Sequence, residues 1–533
     1  MQDTTIDVYT YHQRTKHSLE KYARGPDGLD WDTQPDPFRT YAGSERVAMP
    51  LHANRIQTAY TDLYHPGRAR PAALTLENLS ALLELSLGLS SWKVYGATRW
   101  ALRNTPSSGN LHPTEGYLVF PGMPDLPAGV YHYHVYRHSL ERRCTVDALA
   151  AIDEDRFLVG LSSLHWREAW KYGERAFRYC NHDVGHTLAA VSFSANLFGW
   201  KASYLSGLSD QELDTLLGFD RAGFGALEAE HPELMCWVHP HPCPDIARRL
   251  PDNLISTFKD VSFKGRPNRL SRQPVNWEII YHTANLTRQP ATAEQRYEFT
   301  GPFAFREEPI AMAAAKIIRQ RRSATAFDRK GSLTREQFLA LLDKTLPRND
   351  CAPFDVGLGN PWLHLLVFVH RVKGLTPGLY FFIRNDKALD SIKRLTRPKF
   401  VWEAVENNFP LFLLEKGAFQ QQAMMVSCHQ EIAGDSAFSL GMIADFKERV
   451  ISSPSVYRQL FWESGMIGQV LYLAAEALGV RGTGIGCFFD DAVHEILGLV
   501  DNQYQSLYHF TIGKPVEDPR LTTHPPYHHL KDR

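Results

Sequence analysis

The sequence predicts an α+β protein built from two similar halves in tandem. Residues 185–219 align with residues 465–499 without a gap, at a constant offset of 280. Three further pairs of segments match in the same order along the chain. Each half also alternates helical patterns with short apolar strands. A fixed long-range offset combined with ordered matches indicates an internal duplication.

The long repeat shares a pattern more than it shares identities. Both copies show a helix with small and apolar positions, a glycine stop, a short apolar strand and a second amphipathic helix. The six identical pairs among 35 positions are Gly185/Gly465, Ala195/Ala475, Gly199/Gly479, Asp210/Asp490, Leu217/Leu497 and Gly218/Gly498.

The three shorter matches predict equivalent elements in both halves. They are the N-capped helices LTLENLSALLE (74–84) and LTREQFLALLD (333–343), the strands YLVF (117–120) and LLVF (365–368), and the turn-plus-strand segments LPAGVYHY (126–133) and LTPGLYFF (375–382). The polar stretch between the halves reads as a linker or a wrapping arm. We therefore expect domains at residues 1–264 and 302–533, joined by residues 265–301.

Composition predicts a soluble globular protein of the reducing cytoplasm. The chain is 44% hydrophobic with a formal charge of -1, which gives no reason to expect nucleic acid as a partner. No apolar run approaches the roughly 20 residues needed to span a bilayer, and the N-terminus lacks the plan of a signal peptide. The seven cysteines include no CxxC pair, so neither a disulfide framework nor a metal site is expected.

A candidate anion site opens the second half, in the motif IIRQRRSATAF. Its basic and hydroxyl side chains are Arg321, Arg322, Ser323 and Thr325. Such a cluster can hold a phosphate through charge-assisted hydrogen bonds of roughly 1.5–3 kcal/mol each. A plain basic helix end is the alternative interpretation. Lys514 and Arg520, in TIGKPVEDPRL, could form a second arm of the same site.

A polar loop in the first half is a candidate for binding a planar ring. In TPSSGNLHPTEGYLVF, the side chains of Ser107, Ser108 and Asn110 stand beside free backbone amides, just before a predicted strand. Hydroxyls, a carboxamide and amides suit a ring edge rich in carbonyls and nitrogens. An ordinary turn is the alternative.

Several motifs together resemble the azoline-dehydrogenase (SagB-type) branch of the nitroreductase superfamily. In the first half they are TKHS (15–18), QPDPFRTY (34–41), TPSSGNLHPTEGY (105–117), GVYHY (129–133) and REAWKYGERAFRYC (167–180). In the more diverged second half, RRSAT, GTGIGCF (482–488) and TIGKPVEDPRLTTHPPY resemble the same superfamily. The resemblance implies the nitroreductase fold, FMN as cofactor and two-electron hydride chemistry.

The resemblance also implies how the halves cooperate, because family members are typically intertwined homodimers that hold each flavin with both subunits. This chain would then be an internal pseudo-dimer and a monomer overall. The implied cofactor-binding residues are Arg321, Arg322, Ser323, Thr325, Lys514 and Arg520 for the phosphate, and Gly484, Ile485, Gly486, Ser107, Ser108 and Asn110 for the ring.

Lys171 and Tyr172 match a Lys-Tyr pair of the azoline-forming branch, which implies a catalytic role near the flavin. A phenol beside a cation could give or take the proton that accompanies hydride transfer. The alternative is an amphipathic helix with a snorkelling lysine.

The mirror-image site is expected to be degraded, leaving one flavin site per chain. At the offset of 280 the Lys-Tyr pair becomes Ile451 and Ser452, and the loop at 356–362 lacks the Ser-Ser pair. The remaining residues of this site would be Lys16, His17 and Ser18, then Leu205, Ser206 and Gly207, with Arg248 or Arg249.

These observations predict an FMN-dependent dehydrogenase or oxidase acting on a small or peptide-derived substrate. One alternative is an NAD(P)H-dependent reductase of nitro, quinone or enone compounds. Another is a catalytically idle scaffold of a biosynthetic complex. Neither fold nor family fixes the substrate.

Overall fold

The computed structural model describes residues 6–64, 69–243, 245–292, 299, 306 and 310–530. Up to residue 292, the helices are α1 (Val8–Arg14), α2 (Leu76–Ser86), α3 (His165–Tyr172), α4 (Ala176–Asn196), α5 (Asp210–Leu217), α6 (Asp252–Thr257) and α7 (Glu278–Leu286). The strands of this part are β1 (Tyr41–Ala42), β2 (Glu45–Ala48), β3 (Leu89–Tyr95), β4 (Thr98–Arg103), β5 (Thr114–Phe120), β6 (Gly129–His134), β7 (Ser139–Thr145), β8 (Phe157–Ser163), β9 (Trp200–Tyr204), β10 (His231–Pro240) and β11 (Arg266–Pro267).

The second half repeats this mixture of helices and strands. Its helices are α8 (Ala314–Gln320), α9 (Arg335–Asp343), α10 (Leu389–Leu395), α11 (Gln420–Val426), α12 (Glu431–Asp435), α13 (Lys447–Ser452), α14 (Val456–Ala477) and α15 (Asp490–Leu497). Its strands are β12 (Leu333–Thr334), β13 (Leu363–Val369), β14 (Val372–Lys373), β15 (Gly378–Phe382), β16 (Glu403–Glu406), β17 (Phe409–Lys416), β18 (Phe438–Asp445), β19 (Arg481–Ile485), β20 (Tyr504–Gly513) and β21 (Thr522–His524).

Each half contains a seven-stranded sheet, and the two sheets share one topology. The strand orders are β2-β7-β6-β5-β8-β10-β9 and β16-β17-β15-β13-β18-β20-β19. The matched motifs occupy equivalent places, since β5 and β13 lie at the centre of each sheet beside β6 and β15. Thr75 and Thr334 each accept a backbone N–H at the start of α2 and α9, which confirms the predicted caps. The predicted α+β fold with two equivalent halves is confirmed.

The long helices α4 and α14 pack against each other where the halves meet. At their crossing, a Cβ on Gly185 would lie 2.1 Å from the carbonyl oxygen of Trp462, and one on Gly465 would lie 2.2 Å from that of His182. These glycines are one of the six identical pairs, and His182 and Trp462 are also 280 residues apart. Only glycine permits this backbone approach from both sides.

Reciprocal ion pairs join the halves on either side of this crossing. Arg178 of the first half donates to Asp490 of the second at 2.7 Å, and Arg458 of the second donates to Asp210 of the first at 2.7 Å. All four side chains are buried, at 0–4% exposure. The offset of 280 relates both the arginines and the aspartates, so these contacts repeat as they would across the axis of a dimer.

Segments near the chain ends extend across the opposite half. Strand β21 pairs with β3, and the buried Tyr527 hydroxyl accepts the N–H of Leu89 at 3.0 Å. At the other end, His17 forms an isolated bridge with Phe489. The halves are therefore interlocked as well as packed.

The segment predicted to link the halves contains regular structure in its described part. Strand β11 pairs with β1, and α7 buries Ile279 and Ile280. Residues 293–298 and 300–305 lie outside the described residues, as does the predicted boundary at residue 302. No helix in the described ranges is long and apolar enough to cross a membrane.

Candidate functional site

A cavity of about 270 Å³ lies between the halves and is lined by both. The first half contributes Thr105, Ser107 and Asn110 from the loop after β4, with Lys93 and Arg103 from the β3–β4 hairpin; the second contributes Arg321, Arg322, Ser323 and Thr325, with Arg481 from β19. The structure thus brings the predicted basic cluster and the predicted ring-binding loop to one cavity, which was the main spatial expectation from the sequence.

Arg321 is the most constrained cation of this cavity. It is 3% exposed and follows the last residue of α8. Its Nε donates to the carbonyl oxygen of Asn104 at 3.0 Å and its Nη2 to that of Arg103 at 3.2 Å, both in the first half. Its Nη1 is buried and has no hydrogen-bond partner among the described residues. A buried N–H without an acceptor destabilises the fold, and a ligand that accepts from it would remove this cost.

Five cations and two carboxylates line the cavity, so its formal charge is positive. Burial, followed by the charge of Arg321, lowers the pKa of Arg322 to about 10. Burial, followed by the charge of Arg322, also lowers the pKa of Lys93. Arg481 is partly neutralised by Glu517, at 2.5 Å. Crowded cations with depressed pKa values favour the binding of an anion, which would relieve their repulsion.

The predicted glycine loop lies next to the basic segment. The hydroxyl of Ser323 lies 2.9 Å from that of Tyr472, which accepts the N–H of Gly484 at 2.8 Å. Gly484 is part of β19, and a Cβ there would lie 2.0 Å from the Tyr508 hydroxyl. The tyrosines of α14 and β20 therefore hold the loop close to Ser323.

Aromatic contacts continue from the glycine loop to the first half. A Cβ on Gly486 would meet the ring of Tyr179 at 2.2 Å, and the Tyr179 and Tyr172 ring centroids lie 4.5 Å apart. A Cβ on Gly109 would lie 3.0 Å from the Tyr172 hydroxyl and 3.2 Å from Cδ of Lys171. The Lys-Tyr pair thus packs directly against the predicted ring-binding loop.

Two buried carboxyl groups face the same loop, and sequence reasoning missed them. Ser107 Oγ lies 3.3 Å from Glu168 Oε1, and Asp183 interacts with Ser107 and with the backbone of Ser108. Burial raises the pKa of Asp183 to about 8. Burial, followed by the charge of Asp183, raises the pKa of Glu168 well above its ordinary value. At neutral pH the pair therefore retains at least one proton.

Comparisons with known proteins bear on the fold. Residues 318–514 match the Nitroreductase family. The chain is 27% identical over 154 residues to a Methanocaldococcus jannaschii protein named as a nitroreductase, a match that covers 27% of this chain and 74% of that protein. A crystal structure of an Anabaena variabilis protein, also named as a nitroreductase, superposes with a TM-score of 0.69 at 23% identity, over 96% of this chain and 99% of that one. The chain has the nitroreductase fold.

A second relative is the trifolitoxin-processing protein TfxB of Rhizobium leguminosarum bv. trifolii. It is 27% identical over 172 residues, and the match covers 29% of this chain and 46% of that protein. Together the comparisons show the nitroreductase fold and a match to the Nitroreductase family over residues 318–514. The family match lies in the second half, where the sequence motifs are more diverged.

Two predicted binding groups have other partners in this nitroreductase fold, and a third lies outside the cavity lining. Arg520 is 68% exposed and pairs with Asp518 at 2.7 Å, and Lys514 is exposed at the end of β20; neither lines the cavity. The carboxamide of Asn110 lines the cavity, but its Nδ2 donates to the carbonyl oxygen of Ala101. Asn110 thus also holds its own loop in place.

Two cations of the mirror-image site, Lys16 and Arg249, are neutralised by carboxylates. Lys16 pairs with Asp491 at 2.6 Å, and Arg249 pairs with Glu212 and Asp252, each at 2.7 Å. Arg248 donates to backbone carbonyl oxygens, including that of Val356 at 3.1 Å. The charge available to an anion is accordingly lower there than in the cavity beside Arg321.

Several cavity residues carry weak sequence signals. Arg481 directly precedes the glycine motif, and this position in the sequence was the one signal that could have identified it as a cavity residue. Lys93 and Arg103 belong to a hairpin without a recognisable motif, and only the fold brings them to the second half.

Proposed function

We propose that the chain is an FMN-dependent dehydrogenase or oxidase with one composite site between domains at residues 1–264 and 302–533. The observation that carries this proposal is the shared cavity: the first half supplies the loop of Ser107 and Asn110, and the second supplies the cations and hydroxyls of Arg321 to Thr325. Neither half alone presents both sets of groups.

The residues present fit a flavin phosphate. The partnerless Nη1 of Arg321 and the neighbouring guanidinium of Arg322 offer charge-assisted donors, and Ser323 and Thr325 offer hydroxyls. The backbone at Gly486 lies against Tyr179 of the first half, and that at Gly484 lies against Tyr508 of the second half, so a Cβ at either position would collide with a tyrosine. We assign the phosphate to the cations and hydroxyls of residues 321–325, and the ring to the space bordered by the glycine loop. Arg520 and Lys514 become peripheral candidates.

FMN, when bound, supplies two-electron hydride chemistry. The chain's own part is to position the ring and to manage a proton. Burial, followed by the charge of Glu168, raises the pKa of Tyr172 well above its ordinary value, so its phenol is protonated at neutral pH. The Lys171 ammonium lies 5.4 Å from the centre of that ring. Tyr172 can therefore hold the proton that accompanies hydride transfer.

We propose a small or peptide-derived substrate. The support is the first-half motif set of the azoline-dehydrogenase branch and the similarity to a protein named for trifolitoxin processing. A thiazoline- or oxazoline-containing peptide is the substrate class to test first, with oxidation of the ring as the expected reaction.

Flavin titration tests the proposed site. Replacing Arg321 with alanine removes charge-assisted bonds of roughly 1.5–3 kcal/mol each, so the Kd for FMN should rise about tenfold to a hundredfold. Arg329→Ala is the matched control, because this arginine is 68% exposed, pairs with Asp435 at 2.9 Å and lies outside the cavity lining. Circular dichroism of each flavin-free variant separates weakened binding from misfolding. Unchanged affinity in folded Arg321→Ala would reject the assignment of the phosphate.

The FMN-to-chain ratio tests the single site. A ratio near one supports the composite site beside Arg321, whereas a ratio near two would contradict the asymmetry. Protein that takes up no FMN would favour the scaffold alternative. Rapid reduction of the bound flavin by NAD(P)H would favour the reductase alternative.

A further inference from the structure

Two cysteines meet at the end of the glycine loop. Cys487 directly follows Gly486, and its Sγ lies 2.8 Å from that of Cys428, which stands between α11 and α12. Both are free and partly exposed. Formation of a disulfide would bring the sulfurs to about 2.05 Å, so the pair is close to bonding distance already.

The backbone holds the two cysteine-bearing segments together. Phe489 donates its N–H to the carbonyl oxygen of Val426 at 2.9 Å, and Gln430 Nε2 donates to the carbonyl oxygen of Cys487 at 3.1 Å. Because these contacts lie on both sides of Cys428, and at and just after Cys487, they fix the separation of the two segments that carry the thiols.

The surroundings distinguish the two thiols. His17 Nδ1 accepts the N–H of Ala23 at 2.8 Å, so the neutral ring carries its proton on Nε2 and can donate to Cys487. The charge of Arg175 also favours the thiolate of Cys487, and its guanidinium lies over the ring of the adjacent Phe488 at 4.8 Å. The hydrogen bond with Cys428, opposed by burial and aided by His17, lowers the pKa of Cys487 to about 5. The same contact raises the pKa of Cys428.

We propose that Cys487 and Cys428 form a redox-active dithiol, with Cys487 as the attacking thiolate and Cys428 as the resolving thiol. The oxidant is a low-molecular-weight disulfide of the glutathione class. The Cys487 sulfur attacks one sulfur of that disulfide, breaks its S–S bond and releases one small thiolate. Cys428 then attacks the mixed disulfide, loses its proton and releases the second small thiol. The protein loses two electrons, and the small disulfide gains them.

Both thiols belong to the second half, although His17 and Arg175 of the first half act on Cys487, and the chemistry does not depend on the proposed FMN function. At the offset of 280, the position of Cys487 is occupied by Gly207 in the first half. The disulfide would tie the α11–α12 connection to the loop at 484–486. Oxidation of the thiols would then restrain a segment that also borders the candidate flavin site.

Exposure of the purified protein to oxidised glutathione tests the proposal. Peptide mapping without reduction should find Cys428 linked to Cys487 in the wild type. Cys428→Ser should instead accumulate a glutathione adduct at Cys487, because the resolving thiol is gone. Cys487→Ser should form no internal link. Cys243, the other partly exposed cysteine, is the internal control, and Cys487 should react about tenfold faster than it does.

Two results would overturn the proposal. One is a rate at Cys487 no greater than that at Cys243. The other is wild-type protein that carries separate adducts at Cys428 and Cys487 instead of a link between them. Neither result would bear on FMN binding, which the titration of Arg321→Ala addresses separately.

Discussion

Replacing Asp490 with asparagine should strongly destabilise the molecule, because this carboxylate neutralises two buried cations of the other half. Its oxygens accept from Arg178 at 2.7 Å and from Arg175 at 2.9 Å, and Oδ2 also accepts the N–H of His17 at 2.9 Å. Both guanidinium groups are 1% exposed, so water cannot replace the lost charge. Removing one member of a buried ion cluster typically costs about 3–5 kcal/mol.

Urea denaturation at neutral pH measures this cost as the loss in free energy of unfolding. Glu415→Gln is the control: this carboxylate pairs with Lys399 at 2.8 Å and both side chains are at least 38% exposed, so its loss should cost no more than about 1 kcal/mol. Asp210→Asn should resemble Asp490→Asn, since Arg458 is left in the equivalent position. The reasoning is refuted if Asp490→Asn falls within about 1 kcal/mol of the wild type while remaining folded.

Acid provides an independent check on the same carboxylate. Burial raises its pKa, but the charges of Arg175 and Arg178 prevail and hold the pKa of Asp490 below its ordinary value. A depressed pKa contributes stability above the unfolded value of about 3.9, and that contribution is lost as the pH falls through the folded value. The difference between wild type and Asp490→Asn should accordingly shrink in strong acid, and a constant difference would contradict the ionic origin.

Three further predictions concern the helix crossing and the site. Gly465→Ala places a Cβ 2.2 Å from a backbone oxygen and should cost about 1–3 kcal/mol in urea denaturation, whereas Gly223→Ala, which meets nothing within 4 Å, should cost little. Asp183 has a raised pKa of about 8, so the contribution of its protonated form to the free energy of unfolding is fully present below the unfolded pKa and is lost as the pH rises toward 8. In Asp183→Asn, the free energy of unfolding should therefore decrease less between pH 4 and 8 than in the wild type. An unchanged pH profile would argue against a neutral acid at this position. Tyr172→Phe should lower kcat by about 10²-fold or more with FMN affinity unchanged, and equal turnover would exclude Tyr172 as the proton carrier.

The internal repeat made the architecture predictable. The pairs Gly185/Gly465 and Asp210/Asp490 were identified as identities, and the structure gives their physical reasons: backbone contact at a crossing and charge pairing across it. The arginine partners could not be predicted, because a lone arginine on a helix carries no signal of what it faces in another half.

The candidate site was less predictable than the fold. The motif around Arg321 and the loop around Ser107 were identified from local composition, and their shared cavity followed from the resemblance to intertwined dimers. Arg520 was assigned from the resemblance of its motif to the superfamily, but an aspartate two residues away pairs with it. The buried pair Glu168 and Asp183 could not be predicted, since spacing along helices does not reveal how deeply a carboxyl group is buried.

The presence of both sheets in one polypeptide has a consequence for how such a molecule can change. In an assembly of two identical subunits, every substitution occurs twice, so a harmful effect at one pocket accompanies each gain at the other. Here, at the offset of 280, Cys487 corresponds to Gly207 and Lys171 corresponds to Ile451, so each of these functional candidates occurs once in the molecule. One interface can therefore specialise while its counterpart serves only to support it.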